Sequence, residues 1–576
     1  MTRPAGARMH LPLVCLIGLL TTATVPGQRG PARRAPAAAS VLFDSVATAA
    51  GLDFHHTNGA SAARHLPETM SGGGLFFDYD ADGFVDIFLV DGGSLVDASV
   101  AATARHRLYR NRGDGTFEDV TSTAGIGHRE YGVGACAADY DNDGWTDLYV
   151  TNVGPNTLYR NQDGRRFVDV TESAGVGSAV FAASCAFADV DLDGLVDLFV
   201  ANYVDARLDN NVFCGDAAKS IRIYCHPLNF EPLPDVLYRN NGDGTFADIS
   251  GAAGIAAGRG NGLGVVFGDY DNDRRPDIFV ANDAVPDFLY HNDGGARFSD
   301  VGLLAGVSVA SDGNARAGMG TDFGDYDGDG LLDLFVTNHE FEMHTLFRNL
   351  GDGLFADATL ESGVGLETRP FVGFGTAFLD YDNDGDLDLV VANGHVLNNP
   401  GTFYPGSVEA QRNLLLRNDG GGRFVDVGRT SGPGFALEGI SRALAAGDID
   451  NDGDLDLLVT NNGSTPDLLR NQGTPDRGAV LIRLVGTASN RGGIGARVRA
   501  TIGGEVQVRE VRAGSSYLAQ HDPRLHIGVG DATAIDRLEI LWPAGGTDVV
   551  DRLPANQIVT IVEGKGVTER TPLASR

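Results

Sequence analysis

The chain is poor in the features that mark a membrane protein, a nucleic-acid binder or a familiar hydrolase. After one apolar stretch near the N-terminus, no segment is long and apolar enough to cross a bilayer. Basic residues are scarce: 44 Lys and Arg stand against 77 Asp and Glu, a net charge of −33 that argues against nucleic acid as a partner. No helical periodicity is sustained. There is no Gly-x-Ser-x-Gly elbow beside a strand-to-helix pattern, no phosphate-cradling loop and no Cys-x-x-Cys pair. Cysteine is rare, five in 576 residues, with Cys15 inside the N-terminal apolar stretch. Cys214 and Cys225 share one irregular insertion, where export would favour a disulfide. Cys136 and Cys185 fall on expected strands, and small buried side chains account for them at least as well as a bridge.

What is present starts with an export pattern. Arg3 and Arg8 precede an apolar run from Leu11 to about Leu20, and small and polar residues follow to Pro26. Residues 1–26 therefore read as a signal peptide and 27–40 as a flexible leader. The chain is expected outside the cell, or in the periplasm or envelope of a bacterium.

The dominant signal is a repeated acidic loop. In Asp139-Tyr-Asp141-Asn-Asp143-Gly144-Trp-Thr-Asp147, aspartates hold positions one, three, five and nine, with glycine at six. The template recurs at Asp78, Asp80, Asp82 and Asp86, at Asp189, Asp191, Asp193 and Asp197, and at Asp269, Asp271, Asp273 and Asp277. It recurs again at Asp325, Asp327, Asp329 and Asp333, at Asp380, Asp382, Asp384 and Asp388, and at Asp448, Asp450, Asp452 and Asp456. Calcium takes six to eight oxygen ligands, and such a loop aims alternate carboxylates inward. The carbonyl of Phe84 at position seven adds a further ligand, and Gly83 at position six permits the positive φ of a sharp bend. Up to seven Ca²⁺ ions are expected. The weakest site is expected at Asp269, because Arg274 stands where the template has glycine. Without metal the carboxylates repel one another, so folding should be linked to calcium.

Each loop sits in the same frame. A Gly/Ala-rich strand precedes it, an apolar strand such as Ile87-Phe-Leu-Val90 follows, then a Leu-Tyr-Arg-Asn strand and a Phe-initiated strand. Four strands in each of seven units define an all-β fold, a seven-bladed β-propeller over 41–476 with a calcium loop in each blade. Small first-strand residues suit the crowded position nearest the axis. The last unit stops after Leu468-Leu-Arg-Asn471, while Phe43-Asp-Ser-Val46 matches a fourth strand. The N-terminal segment is therefore expected to complete the seventh blade and close the ring.

Residues 478–566 read as an independent small β domain, with 567–576 as a tail. Its alternating runs include Val480–Val485, Val506–Val511 and Ile558–Val562, and Gly503-Gly504 is a hairpin signal. Residues 478–576 hold 12 basic and 10 acidic residues, so the charge deficit lies in the repeats.

The loops and blades resemble the FG-GAP/VCBS repeats of integrin-α-type propellers. The C-terminal motifs Asn490–Arg497, Gly514-Ser-Ser-Tyr-Leu518, Gln520, His526-Ile-Gly528 and Trp542-Pro543 resemble the ASPIC/UnbV domain. Together they resemble the cartilage-acidic-protein-like family. That resemblance implies a secreted protein that binds calcium, with no defined biochemical role.

The ring end opposite the acidic loops carries long irregular connections at 51–72, 91–107, 201–235, 306–316, 338–345 and 393–413. Nine of the 13 histidines fall there: His55, His56, His65, His106, His128, His226, His339, His344 and His395. The favoured reading is an extracellular or envelope interaction and adhesion module whose protein or glycan ligand meets this end. The alternative is a propeller enzyme, a hydrolase or lyase on an extracellular polysaccharide, using His55, Glu68, His339 and His395 if they converge.

Overall fold

The computed structural model describes residues 42–127 and 130–575. The expected signal peptide, the leader and His128 lie outside them. Seven antiparallel four-stranded sheets follow the repeat frame, the first built from Gly74–Phe77, Asp86–Leu89, Arg107–Asn111 and Phe117–Asp119. In the second and third units an extension pairs Ala179–Phe181 with Val153–Pro155, joining two blades edge to edge.

The first strands of the units are Gly74–Phe77, Tyr131–Ala138, Ala179–Ala188, Gly262–Gly268, Thr321–Gly324, Gly373–Leu379 and Ser441–Gly447. Each contacts the next, and the last contacts the first, so they form a closed circuit at the centre. Space there is tight. A Cβ on Gly320 would lie 2.1 Å from the Phe374 carbonyl oxygen of the next blade. Both faces of each inner sheet region are covered by neighbouring blades, which explains the continuous apolar runs. Leu75, Phe77, Phe88 and Val90 of one blade, for example, share a core with Ala135, Ala137, Leu148 and Val150 of the next.

Closure follows the sequence expectation. Phe43–Ser45 pairs antiparallel with Asp467–Asn471, in the register Phe43 to Asn471. Phe43 is fully buried, with its ring edge-on to Phe435 at 5.2 Å. Both cysteine pairs are bridged. Cys214–Cys225 staples the insertion, and Cys136–Cys185 links the first strands of the second and third units across a Cα separation of 5.8 Å. Of the two readings left open for Cys136 and Cys185, the bridge is the one the structure shows. The circular packing of first strands places two residues side by side that lie 49 apart in sequence.

The C-terminal region forms two four-stranded sheets. One is ordered Leu525–Gly530, Gly478–Val485, Gln557–Val562, Gly566–Pro572, and the other Glu505–Glu510, Arg497–Ile502, Ala534–Leu541, Thr547–Pro554. Two expectations fail here. The supposed tail supplies most of an edge strand, Gly566–Pro572, whose polar sequence hid it. Nor is the region independent. Its core, with Ile482, Val498, Ile540 and Trp542, is continuous with Tyr140, Tyr149 and Leu198 of the propeller.

Moreover, residues 513–522 run through the middle of the ring. Phe187 N donates to Ala513 O at 2.7 Å, and Ser516 exchanges two backbone bonds with Thr321 at 2.8 and 3.1 Å. Leu518 N donates to Ser184 Oγ, Thr376 N to Ser516 Oγ and Ala137 N to Gln520 Oε1. Ala519–Gln520 pairs parallel with the first strand of the first unit, and Asp522 N bonds Ala446 O in the seventh. Gly264 of the fourth approaches Ser516 O closely enough that a Cβ would sit 3.0 Å away. This segment therefore touches all seven units. Buried inner strand edges need hydrogen-bond partners, and the segment supplies some to six of the seven units. Tyr517 and Leu518 are fully buried in the same axial core as Phe181, Tyr203 and Phe374.

Candidate metal centres

Every acidic loop folds alike. Position six has positive φ throughout, from +72° at Arg274 to +99° at Gly385. Position four is also left-handed, at Ala81, Asn142, Leu192, Asn272, Gly328, Asn383 and Asn451. The sequence signalled the bend at six through glycine, and at position four through Asn or Gly in five of the seven loops, a signal that the reading of the motif overlooked.

Three carboxylates per loop build the frame, and the fifth-position one accepts the N–H of position seven, as Asp143 does from Trp145 at 3.0 Å. The first aspartate accepts the backbone N–H groups of positions five and six, as Asp139 does from Asp143 at 3.0 Å and Gly144 at 2.8 Å. The ninth accepts N–H from position two and from the third-strand asparagine, as Asp147 does from Tyr140 at 3.2 Å and Asn161 at 2.7 Å. The remaining carboxylates turn inward. Oxygens of Asp78, Asp80 and Asp82 lie within 4.8 Å of one another, as do those of Asp139, Asp141 and Asp147, of Asp189, Asp191 and Asp197, and of Asp269, Asp271 and Asp277. Asp80 Oδ1 and Asp191 Oδ1 are shielded from water and make no hydrogen bond. An all-oxygen set of this size, with buried oxygens left over, fits a hard cation such as Ca²⁺.

Burial dominates the loop acidities. It pushes Asp78, Asp139 and Asp189 up to about 6, Asp325 to about 7, Asp448 to about 8 and Asp86 to about 9. Crowded carboxylates of the same loop add to the rise, while backbone N–H groups oppose it. A bound divalent ion would reverse the balance, since it favours the ionised forms.

Sequence reading treated Leu-Tyr-Arg-Asn as a strand and missed what its last two residues do. The arginine reaches the loop: Arg110 Nε lies 2.6 Å from Asp80, Arg160 Nε 2.6 Å from Asp141 and Arg470 Nη2 2.6 Å from Asp450. The asparagine ties blade to blade. Asn161 Nδ2 donates to Tyr79 O of the preceding loop, and Asn240, Asn292, Asn349, Asn418 and Asn471 do likewise to Tyr140, Val190, Tyr270, Tyr326 and Tyr381. Asn111 completes the circle by donating to Ile449 O. The repetition of Arg-Asn in six units was the available signal.

The C-terminal domain lies over this acidic end. Arg524 donates to Asp448 O, Gly83 O and Asn451 Oδ1, and Arg491 N donates to Asn142 Oδ1. Arg497 bonds Asp269 O and Asn272 Oδ1 of the fourth loop. A cavity of about 120 Å³ remains between the two parts, lined by Asp322, Asp380, Arg509, Arg512, His521 and Arg524 among others.

At the opposite end, two of the four proposed catalytic side chains come together. His339 and His395 meet with ring centroids 5.3 Å apart. His395 Nε2 lies 3.2 Å from Glu340 Oε1, and Ser407 Oγ donates to the same carboxylate at 2.7 Å. This pair is closed off from solvent, with side-chain exposures of 0% and 2%. Burial would raise the Glu340 carboxyl, but the His395 and Ser407 hydrogen bonds outweigh it and hold it low. Burial pushes His339 down to about 4. Glu68 instead binds Ser61 and Tyr224, and exposed His55 meets only the carbonyl of His56. None of their hydrogen bonds, ion pairs or ring contacts reaches His339 or His395.

A ring of repeats, each presenting a carboxylate cluster on a sharply bent loop, defines a repeat β-propeller. The chain belongs to the FG-GAP-like repeat family, which matches residues 78–150, 139–200, 231–280, 269–336, 325–391 and 396–459. An FG-GAP repeat matches 442–482, and ASPIC and UnbV matches 486–568. This is the architecture of the cartilage-acidic-protein-like family. The chain is similar to cartilage acidic protein 1 of Homo sapiens, 29% identical over 312 residues, covering 52% of this chain and 43% of that protein. The same protein of Mus musculus is 28% identical over 315 residues, covering 52% and 44%. The matched region thus spans less than half of these relatives' length. Among solved structures, an Agrocybe aegerita lectin that recognises non-reducing terminal N-acetylglucosamine is 18% identical, with a TM-score of 0.36, covering 62% of this chain and 79% of that one. At that distance no shared ligand is implied.

Proposed function

We propose that the protein is an exported, calcium-binding β-propeller that serves as an extracellular or envelope interaction module for a protein or glycan ligand. The carrying observation is the asymmetry of the two ring ends. The acidic end is occupied by the C-terminal domain, whose Arg491, Arg497 and Arg524 are bound into the loops. The other end keeps long connections that expose Leu208, Val212, Phe213, Leu228, Phe341, Tyr404 and Val408. Exposed apolar side chains on loops held by a rigid ring suit macromolecular contact. Among the described residues no helix is long and apolar enough to cross a membrane.

Two linked measurements test this reading. Calcium should raise the melting temperature in steps that chelator reverses. The calcium-loaded chain should capture ligands in pull-down and glycan-array experiments, and charged substitutions at Phe341 and Tyr404 should reduce capture. Melting and capture both indifferent to chelator would defeat the calcium assignment.

A further inference from the structure

The fourth unit departs from the others at the residue before its cross-blade asparagine. Six units carry arginine before the cross-blade asparagine: Arg110, Arg160, Arg239, Arg348, Arg417 and Arg470. The fourth carries His291. Its Nδ1 lies 3.4 Å from Asp271 Oδ2 and 3.3 Å from Asp277 Oδ1. That nitrogen is shielded from solvent and shared between the two carboxylates, at separations longer than a good N–H···O bond. They match the edge of a ligand shell. Donors about 2.0–2.1 Å from a tetrahedral ion are about 3.3 Å apart.

The surrounding groups support the same geometry. Asp271, Asp273 and His291 bring one ligand atom each within 4.8 Å of one another, as do Asp269, Asp271 and Asp277. Asp277 is fully buried, and its bond from Tyr270 N is 3.4 Å, against 2.9–3.2 Å at the equivalent aspartates Asp86, Asp147, Asp197, Asp333 and Asp456. Arginines draw on oxygens of this loop as they do in the others. Arg275 takes Asp273, and Arg497 binds the Asp269 carbonyl. Calcium wants six to eight oxygens, whereas imidazole suits the later first-row divalent ions.

We propose that the fourth loop is a transition-metal site, selective for a borderline divalent ion of the Zn²⁺ or Co²⁺ type, with His291, Asp271 and Asp277 as ligands. The inference rests on the reading that these loops hold metal, and it assigns one of them to a different ion. The selectivity comes from exchanging a cationic arginine for a nitrogen donor.

Cobalt is the probe. The full chain is stripped with chelator, saturated with Ca²⁺ and titrated with Co²⁺, followed by visible absorption and by metal analysis after gel filtration. One equivalent of Co²⁺ should persist in excess calcium, with a spectrum showing nitrogen ligation, and Zn²⁺ should displace it. His291→Arg restores the residue of the other units, and His291→Gln keeps a polar side chain. Each should weaken Co²⁺ retention by roughly tenfold or more, since even outer-shell changes cost about 10–100-fold. Calcium stoichiometry at the other loops should stay unchanged. Equal retention by the variants, or displacement of Co²⁺ by calcium from the native chain, overturns the proposal. If one variant fails to fold, the other variant and the native competition decide. No calcium binding at any loop, with one His291-dependent Co²⁺ retained, would defeat the calcium reading and leave this one standing.

Discussion

Asn161 shows how much rests on single side chains. Its Nδ2 serves the buried Tyr79 O of the preceding blade and the half-buried Thr146 O of its own loop. Asn161→Ala leaves two carbonyls without partners, and the expected loss is about 2–4 kcal/mol. Urea unfolding at fixed calcium reads it, and a loss well under 1 kcal/mol would mean the tie is dispensable. The loop carboxylates make a second prediction. In the metal-free chain the folded state holds Asp448 up at about 8 and Asp86 at about 9, far above the unfolded value. The folded state therefore binds more protons, and stability falls as pH rises through those values. His56 and His344, pushed down to about 3 by burial, act oppositely but only below about pH 6.5. Between about pH 7 and 9 the melting temperature in chelator should thus drop, and excess calcium should abolish the drop. A melting temperature that climbs over that range in chelator contradicts the reading.

Among the elements, the closing strand is the most economical. Three residues, Phe43–Ser45, complete the seventh sheet. Phe43→Ala removes a fully buried ring and should cost about 3–5 kcal/mol, with broadened unfolding as the ring loses closure. Thermal melts at saturating calcium check it, and an unchanged midpoint would mean that the strand merely decorates the blade. This strand was legible because Phe-Asp-Ser-Val repeats the pattern of Phe117-Glu-Asp-Val. The acidic loops were legible for the same reason: a local template repeated many times averages out local accident. The strand Gly566–Pro572 was not, since it occurs once and is mostly polar and exposed. Nor was the Cys136–Cys185 bridge, which depends on how neighbouring units pack and not on either segment alone.

At the level of the whole molecule, the repeats and the C-terminal region stand or fall together. Tyr517 is buried at the axis, donates its hydroxyl to Met70 O and packs edge-on to Phe374 at 4.9 Å. Tyr517→Ala should destabilise the entire chain by about 3–5 kcal/mol, and both regions should unfold in one transition. Calorimetry resolving two transitions, with only the C-terminal one shifted, would restore the picture of separate domains. Sequence reading placed Gly514-Ser-Ser-Tyr-Leu518 in its motif but could not place it in space, because a segment paired with strands hundreds of residues away carries no periodicity of its own.

That axial segment also constrains how the protein is made. The strand at Phe43 waits for Asn471, and the hole between the blades waits for residue 517, so vectorial synthesis delivers the completing pieces late. Nascent blades must persist half-finished, with open edges and a hollow centre, until the final hundred residues arrive. A polypeptide with such delayed completion keeps its inner strand edges unpaired through most of its synthesis, and its wheel sets only when the axial segment arrives.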